Sequence, residues 1–151
     1  MSSSSLEIAR IAALAADEKK AHDIVLIDLA ESSDVCDYFL VCSATNRRLC
    51  DAVVEAIEES LRINCSARPF SIVGREEASW VLMDYGTVVV HVFLPETREY
   101  YRLERLWGDA PRIELGLEGE LDMTGQSYEP EELSDEASHV FEDLNYDEDD
   151  L

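Results

Sequence analysis

Basic residues are scarce in this 151-residue chain: 12 Lys and Arg stand against 34 Asp and Glu, for a net charge of -22. Direct contact with nucleic acid needs Lys and Arg on the phosphates. The balance therefore excludes a bare DNA-binding or RNA-binding protein, and it opposes adhesion to an anionic membrane. Glycine is also sparse, with six in the whole chain, and neither the P-loop pattern nor GxGxxG occurs. No apolar run approaches the ~18 residues of a transmembrane helix. Met1 to Leu6 lacks a basic segment leading into an apolar one, so no export signal is expected and the location expected is cytoplasmic. The four cysteines, Cys36, Cys42, Cys50 and Cys65, form no CxxC pair. That argues against a zinc ribbon or a thioredoxin-type site and suits small buried thiols in a reducing compartment.

Apolar residues make up 46% of the chain, enough for an ordinary core. The charge is split unevenly. Residues 113–151 hold 15 acids and no Lys or Arg, whereas residues 1–112 hold 19 acids and all 12 bases. Two parts are expected: a folded domain over 1–112 and an acidic, largely disordered tail over 113–151. Within the tail Leu133, Ala137, Val140, Phe141 and Leu144 fall at helical spacing, but an isolated helix there would be marginal.

Hydrophobic periodicity places the elements. Residues 5–22 read as a helix with an Ile8, Ile11, Ala12, Ala15, Ala16 stripe and a serine cap. Residues 23–29 and 38–43 are short β-branched runs, apolar on both faces, as in strands covered by helices. Leu49, Val53, Ile57 and Leu61 mark a helix over 46–63, ending near Asn64. Residues 68–73 read as an edge strand because of Pro69. Residues 80–84 and 88–93 form an antiparallel hairpin, with Gly86 supplying the turn. Residues 96–107 read as one or two helical turns stopped by Gly108 and Pro111. Beyond them one marginal extra strand, with Ile113, Leu115 and Leu117 alternating, is conceivable. The fold class is α/β: a mixed five-stranded sheet with flanking helices.

No catalytic constellation stands out. Asp34 and Asp37 lack the further ligands that a metal needs. Arg47 and Arg48 at a helix start read as a solvated pair, and no sequence cue joins a cysteine to His22 or His91. No metal or cofactor is expected, and the chain reads as a binding protein rather than an enzyme. The rival reading is a nucleotidyltransferase-like enzyme that binds nucleotide and magnesium through Asp34, Asp37, Arg47 and Arg48. Aromatics crowd one third of the domain: Trp80, Tyr85, Phe93, Tyr100, Tyr101 and Trp107. Trp and Tyr beside acids resemble interface anchors. Alternation sets Trp80, Leu82 and Asp84 on one face of their strand, and His91 with Val89 and Phe93 on one face of theirs.

Lys19-Lys20-Ala21-His22-Asp23-Ile24 and Asp37-Tyr38-Phe39-Leu40-Val41-Cys42-Ser43 resemble the K-A-x-D-I opening and the D-Y-F-V-I-x-S strand of the Iojap-related ribosomal silencing factors. Trp80 to Gly86, followed by Val89-Val90-His91-Val92-Phe93, is similar to W-x-L-x-D-x-G and V-V-H-x-F. Arg98 to Trp107 is similar to R-x-x-Y-x-L-E-x-L-W. The motifs occur in order across residues 19–111. Three positions depart from the pattern: Ala44 for a Gly, Val73 for a Glu and Thr87 for an Asp.

The resemblance implies a nucleotidyltransferase-like topology without the Gly-Ser and Asp-x-Asp catalytic pattern. It implies a factor that binds the large ribosomal subunit through ribosomal protein uL-fourteen. There it would block subunit joining and so repress translation when nutrients are scarce. Homodimers are also implied. Carried over by position, Trp80, Asp84, Tyr85 and Gly86 form the partner-facing hairpin. His91 and Phe93 lie on its second strand, and Glu104 and Trp107 on the closing helix. Trp80 is the expected apolar anchor, with Asp84 and Glu104 meeting basic residues of the partner.

Overall fold

The computed structural model describes residues 4–121, apart from the side chain of Glu104. It opens with helix α1 (Ser5–Glu18), whose N-cap Ser4 accepts a hydrogen bond from the Glu7 amide at 3.1 Å. Its buried side is almost all alanine, namely Ala9, Ala12, Ala13, Ala15 and Ala16. Such small side chains let it lie close against α2. The helix stops four residues before the expected end. Lys20 and Asp23 both take positive φ, at 69° and 51°, and turn the chain into β1 (His22–Asp28).

β2 (Tyr38–Ser43) leads to α2 (Arg47–Cys65), which is capped by the Asn46 side chain accepting from Leu49 N at 2.8 Å. The helix buries Cys50, Val53, Val54, Ile57 and Leu61 and ends at Ser66 in the left-handed region. Asn64 does not end it, because its amide donates back to the Ser60 carbonyl at 3.0 Å. β3 (Ser71–Val73) is shorter than expected, since Pro69 has no N–H to add to the ladder. β4 (Trp80–Asp84) and β5 (Val88–Phe93) form the expected hairpin, closed by Tyr85 N donating to Val88 O at 2.9 Å. Gly86 takes φ +87°, a conformation that a side chain disfavours. The closing helical segment is broken in two, α3 (Pro95–Tyr101) and α4 (Leu103–Leu106), with Arg102 between them in the left-handed region at φ 49°.

The sheet has six strands, not the five expected, in the order β3-β4-β5-β2-β1-β6. The sixth, β6 (Arg112–Ile113), pairs antiparallel with Ile27 and Leu26 of β1. β2 and β5 run parallel at the centre, every other pairing between strands is antiparallel, and an isolated parallel bridge joins Ile24 to Glu120. One side of the sheet packs under α1 and α2 through Ile24, Leu26, Leu40, Val81, Met83, Val90 and Val92. The other carries Val25, Ile27, Phe39, Val41 and Phe93 against Leu103, Leu106 and Trp107.

The folded body runs past residue 112. Left bare, the outer edge of β1 would offer unpaired backbone groups. After β6, Ile24 N donates to Gly119 O and Leu121 N to Ile24 O, each at 2.9 Å. Gly119 N donates to the Asp17 carboxylate at 2.7 Å. Glu120 turns its own carboxylate back to accept from the amides of Leu115 and Gly116, each at 2.7 Å. Residues 122–151, with the helical spacing from Leu133 to Leu144, lie outside the described residues.

Candidate partner-binding face

The β4–β5 hairpin is antiparallel, with Trp80 opposite Phe93, Leu82 opposite His91 and Asp84 opposite Val89. Trp80, Phe93 and Val89 belong to the cluster on the side away from α1 and α2. Trp80 is half-buried there, 4.7 Å from the Phe93 ring and 5.0 Å from Tyr101 of α3, centroid to centroid. The cluster continues through His91 to Phe39 at 4.7 Å, and from Phe39 to Trp107 at 5.9 Å, both edge-on. Strands β4, β5 and β2 and the two closing helical turns thus build one aromatic surface with Trp80 and Trp107 partly open to solvent.

His91 is 1% exposed, and its Nδ1 accepts a hydrogen bond from the Trp80 indole Nε1 at 3.1 Å. Burial pushes its imidazole down to about 3, so the ring is neutral at ordinary pH. With Nδ1 accepting, the ring proton sits on Nε2, which has no hydrogen-bond partner among the described residues.

Asp84 is half-buried, and its carboxylate accepts from Gly86 N at 2.8 Å. It steadies the turn while leaving acidic surface at the rim. Gly86 lies under Phe70, whose ring would stand 3.0 Å from any added Cβ. Tyr85 is not brought to this face. Its side chain enters the core beneath α1 and α2, 7% exposed, with no hydrogen-bond partner for its hydroxyl among the described residues. Burial first, and Glu58 second, push its pKa upward. Glu104 lies in α4, and its side chain is outside the described residues. Phe39, which the sequence pattern did not single out, joins this cluster, as does Tyr101 from among the crowded aromatics. Alternation along β2, which sets Phe39 and Val41 on one face, was the available signal for Phe39.

The residues of the rival reading are not brought together. Asp34 and Asp37 precede β2, whereas Arg47 and Arg48 follow it. A six-residue strand separates the pairs, roughly 20 Å at strand rise. The buried thiols are held protonated by desolvation, Cys42 at about 12 and Cys36 and Cys50 at about 11.

Residues 2–141 match the family described as "Ribosomal silencing factor during starvation". The chain belongs to the ribosomal silencing factor family. The ribosomal silencing factor RsfS of Bacillus subtilis is 44% identical over 108 residues, covering 72% of this chain and 91% of that protein. Over 92 residues the chain is 35% identical to the mouse protein named "Mitochondrial assembly of ribosomal large subunit protein 1", covering 60% of this chain and 40% of the mouse protein. A crystal structure of a protein from Chromobacterium violaceum superposes with TM-score 0.68 at 28% identity, covering 78% of this chain and 96% of that one. The family is regulatory and is named for silencing rather than for a reaction. No helix of the described residues is long and apolar enough to cross a membrane.

Proposed function

We propose that this silencing factor binds the large ribosomal subunit through uL-fourteen and sterically blocks subunit joining, repressing translation in the cytoplasm under nutrient limitation. The observation that carries the reading is the half-buried Trp80 ring, backed by a buried aromatic cluster, with the Asp84 carboxylate at the other end of the same strand. An aromatic set in a packed surround and ringed by polar groups has the form of an interface anchor. The name of the mouse relative points to a large-subunit partner. A net charge of -22 bars a direct hold on ribosomal RNA and favours a basic protein on the particle.

No bond is made or broken in this mechanism. A nucleotidyltransferase-like topology serves only as scaffold, Trp80 fills an apolar pocket on the partner, and Asp84 and Glu104 meet its Lys or Arg side chains. Trp107 extends the contact, His91 and Phe93 shape it from beneath, and Gly86 sets the turn that joins its two strands. Homodimerisation belongs to the same proposal, as does a separate acidic tail. The test is sedimentation of the purified protein with separated ribosomal subunits. Recovery with large subunits and not small ones supports the reading, and recovery only in ribosome-free fractions refutes it.

A further inference from the structure

His91 is out of place by its surroundings. The other residues of β5 are Val88, Val89, Val90, Val92 and Phe93, all apolar. The strand lies between β4 and β2, and Val41 and Leu82 sit opposite His91 on either side. An imidazole sealed there loses its hydration and leaves Nε2 without a hydrogen-bond partner among the described residues. A buried polar group in that state is destabilising, and an aliphatic residue of similar volume would not be. Packing alone therefore does not explain a histidine at this position.

Among the described residues, the one side-chain hydrogen bond of His91 is to the indole of Trp80, 3.1 Å across the diagonal of the hairpin. Trp80 is the residue whose orientation matters most to the proposed contact. Its ring faces Phe93 and Tyr101, which offer stacking surfaces but no acceptor aimed at Nε1. Stacking tolerates rotation of an indole in its plane, whereas a single directional bond from Nε1 selects one edge.

We propose that His91 is a positioning residue for partner recognition: its Nδ1 holds the Trp80 indole by Nε1, so that a fixed edge of the ring is presented to the ribosomal partner. The effect is pre-organisation, which strengthens binding by removing a rotamer choice before contact. The inference rests on the ribosome-binding reading for its consequence, and on the structure alone for the bond.

Two readouts separate these levels. The indole N–H resonances of ¹⁵N-labelled protein, assigned with a Trp107→Phe variant, report the bond without any ribosome. His91→Asn places an acceptor oxygen near the Nδ1 position, and His91→Leu removes the acceptor. Protection of the Trp80 indole N–H from solvent exchange is expected in the wild type and His91→Asn, and its loss in His91→Leu. Affinity for large subunits should stay within about threefold for His91→Asn and fall about tenfold or more for His91→Leu.

The paired test is Trp80→Phe, which has no N–H to hold. In that background His91→Leu should change affinity no further, because the two residues act through one bond. If His91→Leu folds poorly, protection of the Trp80 indole N–H in the wild type and in His91→Asn carries the test. A further loss in the Trp80→Phe background, or wild-type affinity in folded His91→Leu, overturns the proposal. An unprotected Trp80 indole in the wild type overturns it as well. If the wild type shows the protected N–H but binds no large subunit, the ribosome-binding reading fails and the bond stands.

Discussion

The buried guanidinium of Arg98 donates from Nη1 to the carbonyl oxygen of Asp23 at 2.6 Å. The same nitrogen reaches Ser43 Oγ at 2.9 Å. One side chain of α3 thereby ties together the start of β1 and the end of β2. The Asp23 carbonyl needs such a donor, because its positive φ and the bulge between His22 and Val25 take it out of the β1–β2 ladder.

Arg98→Met keeps the length and loses the donors. Hydrogen bonds to a charged group contribute about 1.5–3 kcal/mol, so the variant should lose about that much stability in urea unfolding. An unchanged midpoint would mean that the tie carries no load.

Stability should also depend on pH through His91. In the unfolded chain its imidazole takes up a proton near pH 6.5, whereas in the folded protein it resists until about 3. The unfolded state therefore binds more protons throughout that interval. The group's contribution is complete above pH 6.5 and is lost as pH falls toward 3, with a slope approaching about 1.4 kcal/mol per pH unit. Urea unfolding at pH 7, 6 and 5 should show a smaller decline in His91→Asn than in the wild type. Equal declines would show that the imidazole is not held neutral.

Much of this was legible in the sequence. The hairpin strands and β2 lie where alternation and Gly86 set them, because local pattern and tertiary pairing agree there. The faces of Trp80 and His91 followed from the same alternation. Tyr85 did not, because it sits in the turn, where alternation ends and the backbone aims the side chain under α2. Arg102 broke the closing helix through a left-handed residue that carries no sequence mark. The strap from Ile113 to Leu121 was hidden by its acidity. Asp17 and Glu120 look like solvated charges in sequence but serve as acceptors for backbone amides in space.

That strap sets where the chain can be cut. A chain ending after Leu121 keeps the strap whole and serves as the reference. One ending after Pro111 loses β6 and the hydrogen bonds of Gly119 and Leu121 to Ile24, and should be less stable by about 2 kcal/mol or more. Gly119→Ala should fall in the same direction, since a Cβ there meets the Ala21 carbonyl oxygen. Equal stability of the two truncations would remove the strap from the folded body.

The thiols offer a check on the core. Cys42 and Cys50 are fully buried, and burial holds them protonated at about 12 and about 11. At pH 8 an alkylating reagent should leave both intact in the native protein and modify both in urea. Rapid native labelling of Cys42 would mean that the space between sheet and helices opens readily.

The central claim is that the Trp80 face holds the large ribosomal subunit. Co-sedimentation of wild type and Trp80→Ala with purified large subunits tests it most directly, with circular dichroism confirming that the variant is folded. The wild type should pellet with the subunits. The variant should remain in the supernatant, weakened by about 2 kcal/mol or more, roughly thirtyfold. A folded Trp80→Ala protein that pellets as well as the wild type would contradict the claim.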